Sequence, residues 1–115
     1  MTHTIIYKIS PRAEWEAAQQ AGTFTGATID VADGFIHFST AEQAQETLDK
    51  HFAGQSDLVL AAIATGPLGV ALKWEPSRGG ALFPHLYGSL DMAHLLWTRP
   101  IITATDGTHT MPDLI

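Results

Sequence analysis

The stretch Leu58-Val59-Leu60-Ala61-Ala62-Ile63 runs six apolar residues together without a charge. So short and uniform a run reads as a strand buried on both faces, at the centre of a sheet covered from each side. The flanking sequence must then supply neighbouring strands and the covering layers. Upstream, Thr4-Ile5-Ile6-Tyr7-Lys8-Ile9 is β-branched and aromatic and stops at Ser10-Pro11, the pattern of another strand. Lys8 reads as a lysine snorkelling from a strand edge. Ser10 as a cap, Pro11 in the first turn, Glu14 and Glu16 early and a stop at Gly22 predict a helix, with Trp15, Ala18 and Ala21 facing the sheet.

Thr23 to Asp33 mixes Gly, Thr and Asp and reads as a loop or short extended segment, closed by the turn Asp33-Gly34. Phe35-Ile36-His37-Phe38 is again a strand. Thr40 with Gln43 forms a capping box that opens a second helix, with Ala44, Leu48 and His51 or Phe52 on one face and Gly54 at its end. Downstream of the central run, Gly66-Pro67-Leu68-Gly69 breaks the chain and Val70 to Glu75 alternates like a strand with one wetter side. Residues 76–88 read as a long irregular loop, a kind of segment that often carries function. Ala93 to Trp97, Ile101 to Ala104 and the tail supply closing strands, with Asp106-Gly107 as a hairpin turn. Two helices in the first half and strands in the second predict an α+β fold on an antiparallel or mixed sheet.

At 115 residues, 45% hydrophobic and 16% charged, the chain is expected to form one domain over residues 1–115 with a buried core. Twelve acidic against six basic residues leave a net charge of −6, which opposes an electrostatic grip on nucleic acid. The absence of cysteine removes disulfides, thiolate nucleophiles and Cys-based metal sites. No apolar run reaches the roughly 18 residues of a membrane span, and the N-terminus lacks the order of a signal peptide. The expectation is a cytoplasmic protein, a monomer or small homo-oligomer, with a small-molecule ligand and neither a nucleic-acid nor a membrane partner.

Two constellations carry the chemistry. In Asp33-Gly34-Phe35-Ile36-His37-Phe38-Ser39-Thr40, period-two geometry sends Phe35, His37 and Ser39 to one face. An imidazole and a hydroxyl then project together at the end of a strand, where a helix N-terminus offers free N–H groups to an anion. The plainer alternative is a hydrogen-bonded half-buried His37 with Ser39 or Thr40 as a cap. The second constellation is Trp74-Glu75-Pro76-Ser77-Arg78-Gly79-Gly80 running into Phe83-Pro84-His85-Leu86-Tyr87-Gly88. Here Arg78 can clamp phosphate or carboxylate, His85 can act as acid or base, Tyr87 can donate or stack, Trp74 offers a stacking surface and Glu75 a polar partner. The alternative is a packed loop with an ion pair between Arg78 and Glu75. The histidines show no metal-binding spacing, so no metal is expected.

These motifs, together with Ile6-Tyr7-Lys8-Ile9, Glu14-Trp15 and Leu72-Lys73-Trp74-Glu75, resemble the bacterial domain-of-unknown-function family 952 over nearly the whole chain. The resemblance implies an ADP-ribosyltransferase-like fold, a split mixed or antiparallel sheet whose cleft holds NAD in active members. Phe35-Ile36-His37-Phe38-Ser39 is similar to the second motif of the RNA 2′-phosphotransferases, whereas Tyr7-Lys8-Ile9 stands where those enzymes carry His-Gly-Thr. The expected function is binding of a nucleotide or small phosphorylated metabolite, with NAD as the candidate cofactor, and a transferase reaction. His37, His85 and Tyr87 are the candidate catalytic residues; Ser39, Thr40, Trp74, Glu75 and Arg78 are the candidate ligand-binding residues. The alternative is a non-catalytic module that binds a small ligand or a protein on a degenerate form of the same fold.

Overall fold

The computed structural model describes residues 4–77, 80–112 and 114. The apolar run forms β4 (Leu58–Ala64), which lies between β1 (Ile5–Pro11) and β8 (Leu95–Thr103), with β9 (His109–Thr110) on the far edge of β8. Every strand pairing among the described residues is antiparallel. Side chains alternate across β4, so Val59, Ala61 and Ile63 join Ile6 in one core cluster while Leu58, Leu60 and Ala62 join Tyr7 and Ile9 in another. That division accounts for a strand with no polar residue.

Helix α1 (Arg12–Ala21) covers the first face through Trp15 and Ala18. Two smaller sheets share the work, one pairing β2 (Thr23–Phe24) with β7 (Leu90–Asp91), the other ordered β3 (Ile36–His37), β6 (Ala81–Leu86), β5 (Leu72–Ser77). Phe24, Leu90, Ile36 and Leu86 carry them into the core. Helix α3 (Ala41–His51) covers the second face with Leu48, and its N-terminus is the expected box: the Gln43 N–H donates to Thr40 Oγ1 and Gln43 Oε1 accepts from the Thr40 N–H.

Several elements differ from the sequence-based expectation. Ser10 does not cap α1: it stays in β1, paired with Val59, and its hydroxyl donates to the Pro11 carbonyl at 3.0 Å. Most of the described residues within 76–88 are strand rather than loop, because β5 and β6 pair from Leu72 with Leu86 to Ser77 with Ala81. The two closing strands fuse into one, since β8 pairs with β4 from Trp97 through Pro100 to Ile101, with one register shift between Leu95 and Trp97. The Gly/Thr/Asp-rich stretch contains α2 (Thr28–Asp33), a third α-helix in the first half of the chain. Its apolar residues Ile29 and Val31 face outward while Asp30 is buried, so helical amphipathicity is inverted there. Among the described residues, no helix is long and apolar enough to cross a membrane.

One local feature positions the site. Ile36 and His37 pair with Leu86 and His85, and the Phe38 N–H still donates to the Pro84 carbonyl, but Ser39 turns to β1 and exchanges both backbone hydrogen bonds with Tyr7, at 2.8 and 2.9 Å. The segment thus stitches two sheets together before the chain enters α3. A cleft opens beside this junction.

Candidate functional site

The cleft has a volume of about 510 Å³. Its walls come from β1 (Tyr7, Lys8, Ile9), α2 (Ile29, Asp30, Asp33), the junction (His37, Phe38, Ser39) and α3 with the residues after it (Thr47, His51, Phe52). Its electrostatic centre is Asp30, 1% exposed. Asp30 Oδ1 accepts from the His37 N–H at 3.1 Å and from Lys8 Nζ at 3.1 Å, and lies 2.6 Å from His37 Nδ1. Oδ2 accepts from the Ala27 N–H at 2.8 Å and lies 2.9 Å from Lys8 Nζ. Lys8 completes the circuit by donating to the His37 carbonyl at 2.9 Å. Gly26 makes the close approach of this chain possible: at φ 118° a Cβ there would stand 2.9 Å from the Asp30 Cβ.

Lys8 is therefore not a snorkelling edge residue. It is 5% exposed, and an ammonium taken from water needs the carboxylate it has found. Burial pushes its pKa down, against the pull of Asp30. For Asp30, burial pushes upward, but the hydrogen bond with His37, the charge of Lys8 and the Ala27 N–H outweigh it and hold the pKa at about 2, below the ordinary 3.8. The sign follows from linkage: with the folded-state value depressed, the carboxylate contributes stability above about pH 4 and loses it as pH falls toward 2. The contribution is about 2 kcal/mol at neutral pH. Urea unfolding at pH 5 and pH 2.5 is expected to show this loss in the wild type, with a shallower decline in Asp30→Asn; equal declines would deny Asp30 the role.

His37 is held on all sides. Its Nδ1 faces Asp30 and its Nε2 lies 2.9 Å from Asp33 Oδ2, while its ring packs 4.6 Å from Phe35 and meets the His85 ring edge-on at 5.5 Å. The side chain is 27% exposed and lines the cleft. A histidine anchored at one nitrogen by a buried carboxylate has a fixed ring orientation and is suited to moving a proton at the other. Ser39 also lines the cleft, 4% exposed, with Oγ 3.1 Å from Thr47 Oγ1. Thr40 spends its hydroxyl on the helix cap.

The remaining expected site residues lie elsewhere. His85 shares a sheet face with His37 but is 5% exposed and stacked on Phe35 at 4.2 Å. Its Nδ1 lies 2.8 Å from Glu75 Oε1, which also accepts from the Tyr87 hydroxyl at 2.8 Å. Hydrogen bonding with His85, then Tyr87, draws the Glu75 pKa down, and the same Glu75 bond raises that of Tyr87. Trp74 is partly exposed on the neighbouring position of β5. None of these four lines the cleft. Arg78 lies outside the described residues. Two histidine–carboxylate pairs thus stand side by side, and of the two histidines only His37 lines the cleft. Among the described residues, no three His, Asp or Glu side chains gather as a metal-holding group.

Sequence reading missed Asp30 and Thr47 and misplaced Lys8 at a strand edge. The usable signal was Lys8 itself, a charge in the middle of an apolar strand that requires a buried partner. Which acid would answer was not legible, because Asp30 resembles any turn aspartate in its surroundings.

The family described as protein of unknown function (DUF952) matches residues 9–98. The crystal structure of protein CC0527 from Caulobacter crescentus is similar at 52% identity, with 93% of this chain and 94% of that chain covered and a TM-score of 0.88. The solution NMR structure of CC0527 is similar at 53% identity over 91% and 90% of the two chains, with a TM-score of 0.80. No curated protein matches. A family match over most of the chain and a relative sharing half its residues lead to one conclusion: the chain belongs to the DUF952 family.

Proposed function

We propose that the domain binds a nucleotide-class ligand, of the NAD or ADP-ribose kind, in the cleft and that His37 moves a proton on it during group transfer. The observation that carries this reading is His37 on the cleft wall, with Nδ1 fixed by the buried Asp30. In such a reaction the Nε2–H of His37 donates to an oxygen of the ligand on which negative charge develops, while Asp30 holds the ring through Nδ1. A cleft of about 510 Å³ suits a ligand of nucleoside size. Ile9, Ile29 and Phe52 offer apolar wall to a base, and Ser39 and Thr47 offer hydroxyls to a ribose. Lys8 is committed to Asp30 and is not free to meet a diphosphate.

Calorimetry with NAD, ADP-ribose and AMP tests the reading, and mass analysis of the incubated ligand tests turnover. Wild type is expected to bind at least one of them, with His37→Gln weakening it about tenfold or more, the worth of one good hydrogen bond to a charged group. No binding by wild type, or binding indifferent to His37, overturns it. A non-catalytic binding module is the second reading, favoured by the engagement of both His37 nitrogens with carboxylates; binding without any product would establish it.

A further inference from the structure

The two carboxylates on His37 are not equivalent. Asp30 is buried and accepts from Lys8, from the Ala27 and His37 N–H groups and from the ring. Asp33 is the last residue of α2, its side chain is 47% exposed, and its Oδ2 lies 2.9 Å from Nε2. A half-exposed polar contact of this kind contributes little and breaks easily. Gly34 follows at φ 87°, a left-handed turn that ends the helix and leaves Asp33 at its tip. Nδ1 is sealed beneath Asp30, which leaves Nε2 as the nitrogen that can meet a ligand.

We infer that the Asp33 carboxylate holds the place on His37 Nε2 that an anionic oxygen of the ligand takes, so that Asp33 is a built-in competitor and the group recognised there is a phosphoryl or carboxylate oxygen. This rests on the cleft being a ligand site, as proposed above. Two anionic oxygens cannot share one N–H, and a phosphate entering beside Asp33 meets its repulsion as well as its occupancy. The ligand must displace the carboxylate into solvent, where its exposure already places it. A carboxylate on the ring also excludes uncharged hydroxyl compounds more strongly than it excludes anions, because only a charged oxygen replaces the charge-assisted bond that is lost.

The test uses the full chain with ADP-ribose, inorganic phosphate and uncharged adenosine as probes. Asp33→Ala is expected to bind the two anionic probes about tenfold more tightly than wild type, from loss of the competing contact and of its repulsion. Glu14→Gln, which removes the same charge from another point on the cleft, is expected to change them less than about threefold. In the His37→Gln background the gain from Asp33→Ala is expected to vanish. Ring-nitrogen NMR gives a reading that needs no ligand: Asp33→Ala shifts Nε2 of His37 and leaves Nδ1 in place. An unmoved Nε2 resonance, an equal gain from Glu14→Gln, or tightening that persists without His37 overturns the competitor role while leaving the cleft intact as a binding site. Binding of no probe by any variant overturns this inference together with the ligand reading beneath it.

Discussion

Asp30→Ala is expected to lower the free energy of unfolding at pH 7 by about 3–5 kcal/mol, the largest single effect among the polar residues of this domain. The side chain is small, so the loss is not mainly one of packing. Its removal strands an ammonium, Lys8, that is 5% exposed, and leaves the Ala27 and His37 N–H groups without their acceptor. Lys8→Met leaves the converse problem, a buried carboxylate without its counter-ion, and is expected to cost a similar amount. Removing one partner of a buried pair is far more damaging than replacing both by apolar residues. The double variant Lys8→Met/Asp30→Leu is therefore expected to recover a substantial part of the loss, although the His37 and Ala27 donors remain unanswered. Urea denaturation followed by circular dichroism measures all three; single variants within about 1 kcal/mol of wild type would show the network to be dispensable.

The second large effect is expected at Trp15, where alanine should cost about 3–5 kcal/mol, as for other fully buried aromatic residues. Trp15 has no exposed surface and packs 5.1 Å from Phe24, tying α1 to the small β2–β7 sheet. Its indole N–H donates to Thr98 Oγ1 at 2.9 Å, which ties the same helix to β8. The two contributions separate by substitution. Thr98→Val keeps the packing and strands the indole donor, and is expected to cost about 1–3 kcal/mol. Thermal unfolding of both variants checks the order; a Thr98→Val loss equal to that of Trp15→Ala would assign the stability to the hydrogen bond instead of the core.

What the sequence made legible follows from how locally each signal is written. The central strand, the first strand, the Thr40 box and the stop at Gly22 all depend on residues within a few positions of each other, and all appear where expected. The hairpin of β5 and β6 was masked by Pro76, Gly79, Gly80 and Pro84, which read as loop although the pairing continues past both prolines. Helix α2 was illegible for a different reason. Its six residues owe their shape to a buried aspartate 22 positions from its lysine, and its outward-facing Ile29 and Val31 reverse the pattern that marks a helix. The site was half legible. His37 and Ser39 share the expected face and the cleft, but the division that keeps His85, Glu75 and Tyr87 out of the cleft depends on strand pairing and on Phe35 packing against both imidazole rings.

The position of β4 also governs when this chain can fold. Ile5 pairs with Ala64 and Leu58 with Ile101, so neither edge of the central strand is closed by a neighbouring hairpin. Loop closure must come before these contacts return any stability, which places the domain among slow-folding, high-contact-order topologies. A nascent chain that has reached Ala64 holds three helices and only one partner for its most apolar segment. Until Leu95 to Thr103 emerge, that segment keeps an unpaired edge, the form in which an apolar strand most readily pairs with another copy.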